Sequence, residues 1–164
     1  MPKFSAQQLS DGGFQPHGVY CNQFHGNADL AEIIGAFTTI EAQSRWNPDV
    51  IGGEWLSERP EIEGAIRHMK LTRGMWMRQQ LTQVQPHQIR YVILEGGGGL
   101  PLQQARIQVT LESPPDVPER VRVLNFEMRY LLTRSFRLMK PVIERAIRSN
   151  LDKNLPRLLA PGVP

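Results

Sequence analysis

The chain has 164 residues, of which 40% are hydrophobic and 21% charged, a composition typical of one folded domain with its own core. The formal net charge of +3 is mild and the arginines are scattered, so we expect no nucleic-acid partner. Neither a membrane-spanning run of about 18 apolar residues nor a signal peptide is evident, and the single cysteine, Cys21, cannot form an internal disulfide; we therefore expect a cytoplasmic protein without integral membrane association.

The first predicted elements are an arm, a strand and a helix. Residues 1–16 are polar and contain glycine and proline, which indicates a flexible N-terminal arm. The segment "GVYCNQFHG", residues 18–26, is bounded by glycines and predicts a strand. Apolar residues then recur at helical spacing after Asn27, which we expect to be the N-cap, with Asp29 in the first turn and an end before Pro48.

In the middle of the chain, the apolar residues recur with a period of two. Six segments read as strands joined by short turns: "VIGGEWLS", "AIRHMKLTRG", "MWMRQQLTQV", "HQIRYVILEG", "LQQARIQVTLES" and "RVRVLNFEMRYLL". Several strands at this spacing predict an antiparallel meander.

A run of four glycines, Gly96–Gly99, follows the fourth of these strands. A phosphate-binding loop needs a lysine and a serine or threonine at its end and a helix after it, and this run has neither. The glycines therefore predict a hairpin connection with positive φ angles. We expect no nucleotide or other cofactor.

The C-terminus returns to helical spacing, with Pro141 near its start and Pro156 where it should kink or end. One apolar stripe is formed by Met139, Val142, Ile143, Ala146, Ile147, Leu151, Leu155 and Leu158. A helix of this kind has to bury its stripe on one face of the sheet. The order of elements predicts an α+β fold in which a strongly twisted sheet and one helix enclose a cavity suited to a small apolar ligand.

This order resembles the START-like (SRPBCC) superfamily, which has the helix-grip fold, and within it the polyketide cyclase/dehydratase and lipid-transport branch. The resemblance spans roughly residues 18–159 and rests on "RWNPDV", "GAIRHMKLTRG", "IRYVILEGGGGLPLQQARIQVTL" and "FRLMKPVIERAIRSNLDKNLPRLL". It implies one START-like domain over residues 17–160, a curved antiparallel sheet wrapped around the long C-terminal helix, and a deep cavity between them with the glycine run as a mobile lip. The family usually has a second short helix, for which "SRWNPDV" leaves little room.

The resemblance also implies which residues face the cavity. On the strands these are Arg67, Met69, Leu71, Gln79, Leu81, Val92, Leu94, Ile107 and Val109, joined on the last strand by either Asn125 and Glu127 or Phe126 and Met128. A one-residue slip reverses each choice. Aromatic residues suited to the cavity, its mouth or the core are Trp46, Trp55, Trp76 and Tyr91, with Trp76 expected at the entrance and Tyr91 facing either side, and the helix contributes Met139, Ile143 and Ile147.

Two of these residues carry charge. Arg67 and Glu127, if both face inward, need partners for their buried charges. They either bind or polarise a carbonyl or carboxylate of the ligand, pair with each other, or lie in solvent.

Metal binding and nucleophilic catalysis find no support. His17, Cys21 and His25 are four residues apart, and on a strand this spacing separates neighbours by about 13 Å, too far for one ion. No G-x-S-x-G elbow occurs, and Cys21 has no base at a meaningful spacing.

Three functions remain. The first is binding or transport of a small hydrophobic molecule such as a lipid, quinone or polyketide. The second is a polyketide cyclase or dehydratase using Glu127, Arg67 or Tyr91 for acid/base chemistry. The third, which the resemblance adds, is an interaction protein with a filled cavity that acts on ribosomes or quinone assembly. Whether the protein forms a homodimer is left open.

Overall fold

A computed structural model describes residues 14–160. Seven strands form one antiparallel sheet in the order β1-β7-β6-β5-β4-β3-β2. Their bounds are β1 Gly18–Asp29, β2 Val50–Trp55, β3 Ile66–Leu71, β4 Trp76–Gln85, β5 Gln88–Gly97, β6 Leu102–Glu112 and β7 Arg120–Leu132. Two helices, α1 Leu30–Thr38 and α2 Ile40–Trp46, follow β1, and α3, Lys140–Asn154, follows β7. The predicted α+β helix-grip architecture is confirmed.

The N-terminal arm predicted over residues 1–16 lies mostly outside the described residues. Of its last part, Phe14 lies against the sheet, with its ring centroid 4.4 Å from the guanidinium carbon of Arg106. The boundaries of a single domain over 17–160 stay a prediction. Within residues 14–160, no helix combines the length and apolar character that crossing a bilayer requires.

The helical region after β1 differs from the single helix that we expected. The helix breaks at Thr39, whose φ of −97° and ψ of 149° are those of extended backbone. Thr39 ends α1 by donating its N–H to the Gly35 carbonyl, and its hydroxyl caps α2 by accepting from the N–H of Ala42 at 3.2 Å. A second short helix is thus present, formed by division of the expected first helix. Only residues 44–46 of "SRWNPDV" are helical, so this segment does leave little room, but the expected lack of a second helix was wrong.

The N-cap of α1 is Asp29, and the prediction of Asn27 was wrong. The Asp29 carboxylate accepts from the N–H groups of Ala31 at 2.9 Å and Glu32 at 3.1 Å. The Asn27 side chain instead accepts from Arg120 Nε at 2.9 Å. A carboxylate at this position also interacts favourably with the helix dipole.

Asp29→Ala should lower the free energy of unfolding by about 1 kcal/mol, because two N–H groups lose their acceptor. Asp29→Asn is the matched control, since the amide oxygen still caps and only the charge is lost, at a cost of a few tenths of a kcal/mol. Urea unfolding followed by circular dichroism measures both. Equal losses in the two variants would contradict the capping role.

The C-terminal helix α3 starts with Pro141 in its first turn, as predicted, and gives way at Leu155 to a 3-10 turn containing Pro156. Its apolar stripe is buried only in part. Ile143 and Leu151 are buried and Ile147 is half-buried, whereas Val142 is 61% exposed. The helix therefore packs on the sheet most closely toward its C-terminal end.

The core lies on one face of the sheet, which we call the inner face. Buried side chains of β3 to β7 form one apolar cluster there with Ile33 and Phe37 of α1 and Ile143 and Leu151 of α3. The opposite face, the outer face, carries polar side chains such as Arg129, as is usual for an antiparallel sheet with one solvated side.

The glycine run forms a hairpin connection with positive φ, as predicted, although only its second half turns the chain. Gly96 and Gly97 continue β5, whereas Gly98 and Gly99 have φ of 67° and 89°. A Cβ on Gly98 would also overlap the Gly74 carbonyl of the neighbouring connection. The lip's mobility stays a prediction.

Candidate functional site

The centre of the candidate site is Arg67, which lies on the inner face of β3 with 0% exposure. Its Nε donates to Gln79 Oε1 on β4 at 2.8 Å, since the strand register places the two residues opposite each other. Its terminal nitrogens donate to the carbonyls of Thr38 at 3.0 Å and Phe37 at 2.8 Å. The guanidinium therefore caps the C-terminal end of α1, where helix carbonyls lack partners of their own.

The charge on Arg67 has no carboxylate partner in residues 14–160. Neither alternative to ligand binding that the sequence offered, an ion pair with Glu127 or solvent exposure, is found. Three of the five N–H donors of the guanidinium are used, and all three acceptors are neutral.

Two aromatic rings flank the guanidinium. The Arg67 guanidinium carbon lies 5.6 Å from the ring centroid of Trp55 and 5.8 Å from that of Tyr91. Both distances suit cation–π attraction. The Tyr91 side chain is 4% exposed, and its hydroxyl makes no hydrogen bond within the described part of the chain.

Burial changes the acidity of both groups without changing their charge at neutral pH. It lowers the pKa of Arg67 to about 10, against a small opposing effect of Tyr91. It raises the pKa of Tyr91 to about 12, against the attraction of the Arg67 charge. At neutral pH the site therefore holds a cation and a phenol O–H, both of them donors, and neither is a base.

Several predicted residues do lie on the inner face or on the helices packed against it. Their side chains belong to the buried core or to the Arg67 cluster: Trp46, Arg67, Met69, Leu71, Gln79, Leu81, Tyr91, Ile107, Val109 and Ile143. Ile147 is half-buried and packs against the same core. Trp46 is a core residue, because its Nε1 donates to the Ala36 carbonyl at 2.9 Å and its ring lies 5.4 Å from Phe37.

The inward placement of Val92 and Leu94 was wrong. β5 pairs Tyr91 with Leu81 and Ile93 with Gln79, so Tyr91 and Ile93 face inward. Val92 pairs with outward-facing residues, and Leu94 lies at a bulge, outside the buried cluster.

Glu127 lies on the outer face, so its predicted inward placement was wrong. It accepts from Arg129 Nε at 2.6 Å in an ion pair with partly exposed side chains. Of the two sets left open for β7, Phe126 and Met128 face inward, opposite Val109 and Ile107.

Two further predicted residues lie away from the inner face. Trp76 is on the outer face, where it stacks on His68 at 5.3 Å between ring centroids and covers Gly97. Met139 precedes α3 and is 49% exposed. Neither contributes to the cluster around Arg67.

Sequence reasoning missed Met77 and Ile93 on the inner face and left Met128 undecided. Met69, Met77 and Met128 are all buried on this face. Their flexible thioether side chains adapt to differently shaped partners. The period-two pattern of β4 contained the signal for Met77, because it alternates with Arg78. The carbonyl partners of Arg67 had no sequence signal.

A second polar cluster joins α3 to β1. The Tyr20 hydroxyl donates to Asp152 Oδ1 at 2.5 Å, and Asn22 Nδ2 donates to the same oxygen at 2.8 Å. The Arg148 guanidinium lies 5.6 Å from the centroid of the Tyr20 ring. Burial and the bond to Asp152 raise the pKa of Tyr20.

A depression of about 220 Å³ opens on the outer face, with a lining of Cys21, Asn22, Gln23, Gln108, Thr110, Asn125, Phe126 and Glu127. It is smaller than the roughly 300 Å³ at which ligand pockets begin.

Cys21 and His25 belong to this side of β1, and His17 accepts from the Leu132 N–H at 2.9 Å. Within residues 14–160, no three His, Cys, Asp or Glu side chains group closely enough to hold a metal ion.

Comparison with solved structures shows the same fold at low sequence identity. A START superfamily protein from Mycobacterium smegmatis superposes with a TM-score of 0.65 at 12% identity, over 86% of this chain and 96% of that one. Major latex-like protein 151 from Panax ginseng gives 0.63 at 10% identity, over 90% and 100%. Norcoclaurine synthase from Thalictrum flavum, in complex with dopamine and hydroxybenzaldehyde, gives 0.58 at 13% identity, over 86% and 85%.

The sequence itself decides the family. No protein in the curated set matches the chain. The family model described as polyketide cyclase / dehydrase and lipid transport matches residues 23–160, which covers all the helices and all the strands except the first residues of β1. The chain therefore belongs to the polyketide cyclase / dehydrase and lipid transport family.

Proposed function

We propose that the protein binds or carries a small hydrophobic molecule between the inner face of the sheet and α3. The observation that carries the proposal is the make-up of the inner face, which is apolar and rich in methionine except for a compact polar group at Arg67, Gln79 and Tyr91. Ligand sites typically have this form, with a mostly apolar lining and a few placed polar groups. Membership of a lipid-transport and cyclase family supports it.

The apolar part of the proposed site comes from four strands and the helix above them. We assign Met69, Met77, Ile107 and Met128 to its floor and Ile143 and Ile147 to its cover. Val142, in the first turn of α3 and far from the closely packed C-terminal end, is exposed, which supports access from the N-terminal end of the helix. The free thiol of Cys21 fits a reducing compartment, and we place the protein in the cytoplasm.

Binding is better supported than cyclase or dehydratase chemistry. Of the three residues considered for acid/base work, Glu127 lies on the outer face. Arg67 and Tyr91 keep their protons at neutral pH, because their pKa values are about 10 and about 12. The inner face around Arg67 thus supplies donors, whereas abstraction of a proton from a polyketide needs a base.

Native mass spectrometry of freshly purified protein should show a bound small molecule that organic extraction releases. After extraction, the neutral fluorescent probe N-phenyl-1-naphthylamine should bind in a saturable way at one site. The native spectra also give the mass of the assembly and decide between monomer and homodimer. Protein that carries no extractable molecule and binds no probe would overturn the proposal and favour an interaction protein with a filled cavity.

Two adjacent residues of β7 offer a matched pair for this test, because their side chains point to opposite faces. Met128→Gln should weaken probe binding about ten-fold, since it places an amide in the apolar floor. Glu127→Gln on the outer face should leave the affinity unchanged. Equal effects of the two substitutions would place the probe elsewhere.

A further inference from the structure

We propose that the site selects hydrophobic molecules that carry a carboxylate, and that Arg67 and Tyr91 bind that carboxylate. The inference rests on the proposed function and names the chemical class of the ligand. It follows from two properties of the cluster around Arg67, its net charge and its hydrogen-bonding groups.

The first property is an uncompensated charge. Arg67 is fully buried, and the groups that contact its guanidinium are two backbone carbonyls, one side-chain amide and two aromatic rings. These are dipoles and quadrupoles, and none of them carries a full negative charge. A buried cation normally has an anionic partner, because removal of the charge from water is costly. Residues 14–160 supply none, so an anionic ligand would provide the missing charge.

The second property is an excess of donors. Two N–H groups of the Arg67 guanidinium are unused, and the Tyr91 hydroxyl beside it has no partner among the described residues. The side-chain amide oxygen of the cluster, Gln79 Oε1, already accepts from Arg67 Nε. A carboxylate is acceptor-only and takes two parallel bonds from a guanidinium.

Neutral groups fit this cluster less well. A carbonyl or an alcohol could accept one hydrogen bond, but either would leave the charge of Arg67 uncompensated. An ammonium group would be repelled by the Arg67 charge. Since the surrounding inner face is apolar, the remainder of the ligand is apolar, as in a fatty acid or an aromatic acid.

The test compares three probes with the same ten-carbon chain: decanoate, decanol and decyltrimethylammonium. Each competes with N-phenyl-1-naphthylamine at pH 8, where the acid is ionised. We expect decanoate to bind about ten-fold or more tightly than decanol, because hydrogen bonds to charged groups are the strong ones. Decyltrimethylammonium should compete least.

Three variants locate the preference. Arg67→Met should abolish the preference for decanoate over decanol. Tyr91→Phe should weaken decanoate about three- to ten-fold and leave decanol unchanged, and it should fold normally because the hydroxyl has no partner within the chain. Arg78→Met, on the outer face of β4, is the matched control for loss of one positive charge and should keep the preference.

The outcomes separate this inference from the function on which it rests. Equal affinities for decanoate and decanol in the unmodified protein would overturn the carboxylate assignment while leaving hydrophobic binding in place. If Tyr91→Phe keeps the full preference for decanoate over decanol, Tyr91 does not bind the carboxylate. This variant tests Tyr91 even if Arg67→Met does not fold. Failure of every probe, including the neutral fluorophore, would overturn the proposed function itself.

Discussion

Arg67→Met should lower the free energy of unfolding by about 2 to 4 kcal/mol, whereas Arg78→Met should cost less than about 1 kcal/mol. The first variant leaves the carbonyls of Phe37 and Thr38 and the amide oxygen of Gln79 without their donor inside the core. The second removes an ion pair with Glu95, in which both side chains are more than 40% exposed. The two residues are on adjacent strands and differ mainly in the face that they occupy.

Two opposing contributions decide whether Arg67→Met raises or lowers the free energy of unfolding. Methionine removes a buried charge, and the lowered pKa of Arg67 indicates that this charge is costly by about 3 kcal/mol. Three buried acceptors that lose their donor cost about 1 to 3 kcal/mol each. The loss of these hydrogen bonds should therefore outweigh the relief of desolvation, and the C-terminal end of α1 should be the first part to lose structure.

Denaturant unfolding of both variants measures the difference, and hydrogen exchange shows whether the loss of protection is concentrated in α1. A variant Arg67→Met as stable as the unmodified protein would show that the desolvation cost of the cation cancels the contribution of its hydrogen bonds, and would contradict the expected loss.

The strands were predicted well from the sequence, because an alternation of apolar and polar residues indicates a strand with one buried face and is read from the local sequence alone. The prediction failed on β5 for a specific reason. Residues 91–94, "YVIL", are apolar at every position, so hydrophobicity cannot say which alternate pair faces inward, and the bulge at Leu94 disturbs the alternation further. On β7 the choice was left open although the pattern contained the signal, since Phe126 and Met128 alternate with Asn125 and Glu127 and only the apolar pair fits the core.

The break between α1 and α2 also had a local signal. Thr38 and Thr39 are adjacent β-branched residues, and each hydroxyl donates to the carbonyl four residues earlier at 2.9 Å. Such bonds compete with helix geometry, and a threonine makes a good N-cap. Two of the three hydrogen-bond partners of Arg67 had no comparable signal, because they are main-chain carbonyls that any sequence would supply once α1 had packed beside β3.

The protein should resist ionisation of its tyrosines far above pH 10 and then unfold as they ionise. All three tyrosines of the chain are buried, at 2% exposure for Tyr20, 4% for Tyr91 and 1% for Tyr130. Burial raises the pKa of Tyr91 to about 12 and, helped by Glu144, that of Tyr130 to about 12. Burial and the bond to Asp152 raise that of Tyr20 as well.

The sign of the effect on stability follows from which state loses protons first. Between pH 10 and 12 the unfolded chain ionises its tyrosines while the folded protein does not, so the unfolded state holds fewer protons and stability falls as pH rises. Each rise of one in pKa corresponds to about 1.4 kcal/mol, and Tyr91 and Tyr130 together should therefore remove about 5 kcal/mol by pH 12. Against a typical total of about 5 to 15 kcal/mol, that loss is enough to unfold a domain of this size.

Absorbance at 295 nm, which reports tyrosinate, should consequently rise in one steep step above about pH 11 that coincides with the loss of circular dichroism. In guanidinium chloride the same three residues should titrate near the ordinary value of about 10. Tyr91→Phe removes one of the shifted groups without removing a hydrogen bond within residues 14–160, so its alkaline transition should move to higher pH. Gradual tyrosinate formation centred near pH 10 in protein that keeps its circular dichroism would place these rings in solvent, and the inner face could not then be the closed apolar surface on which ligand selection by Arg67 depends.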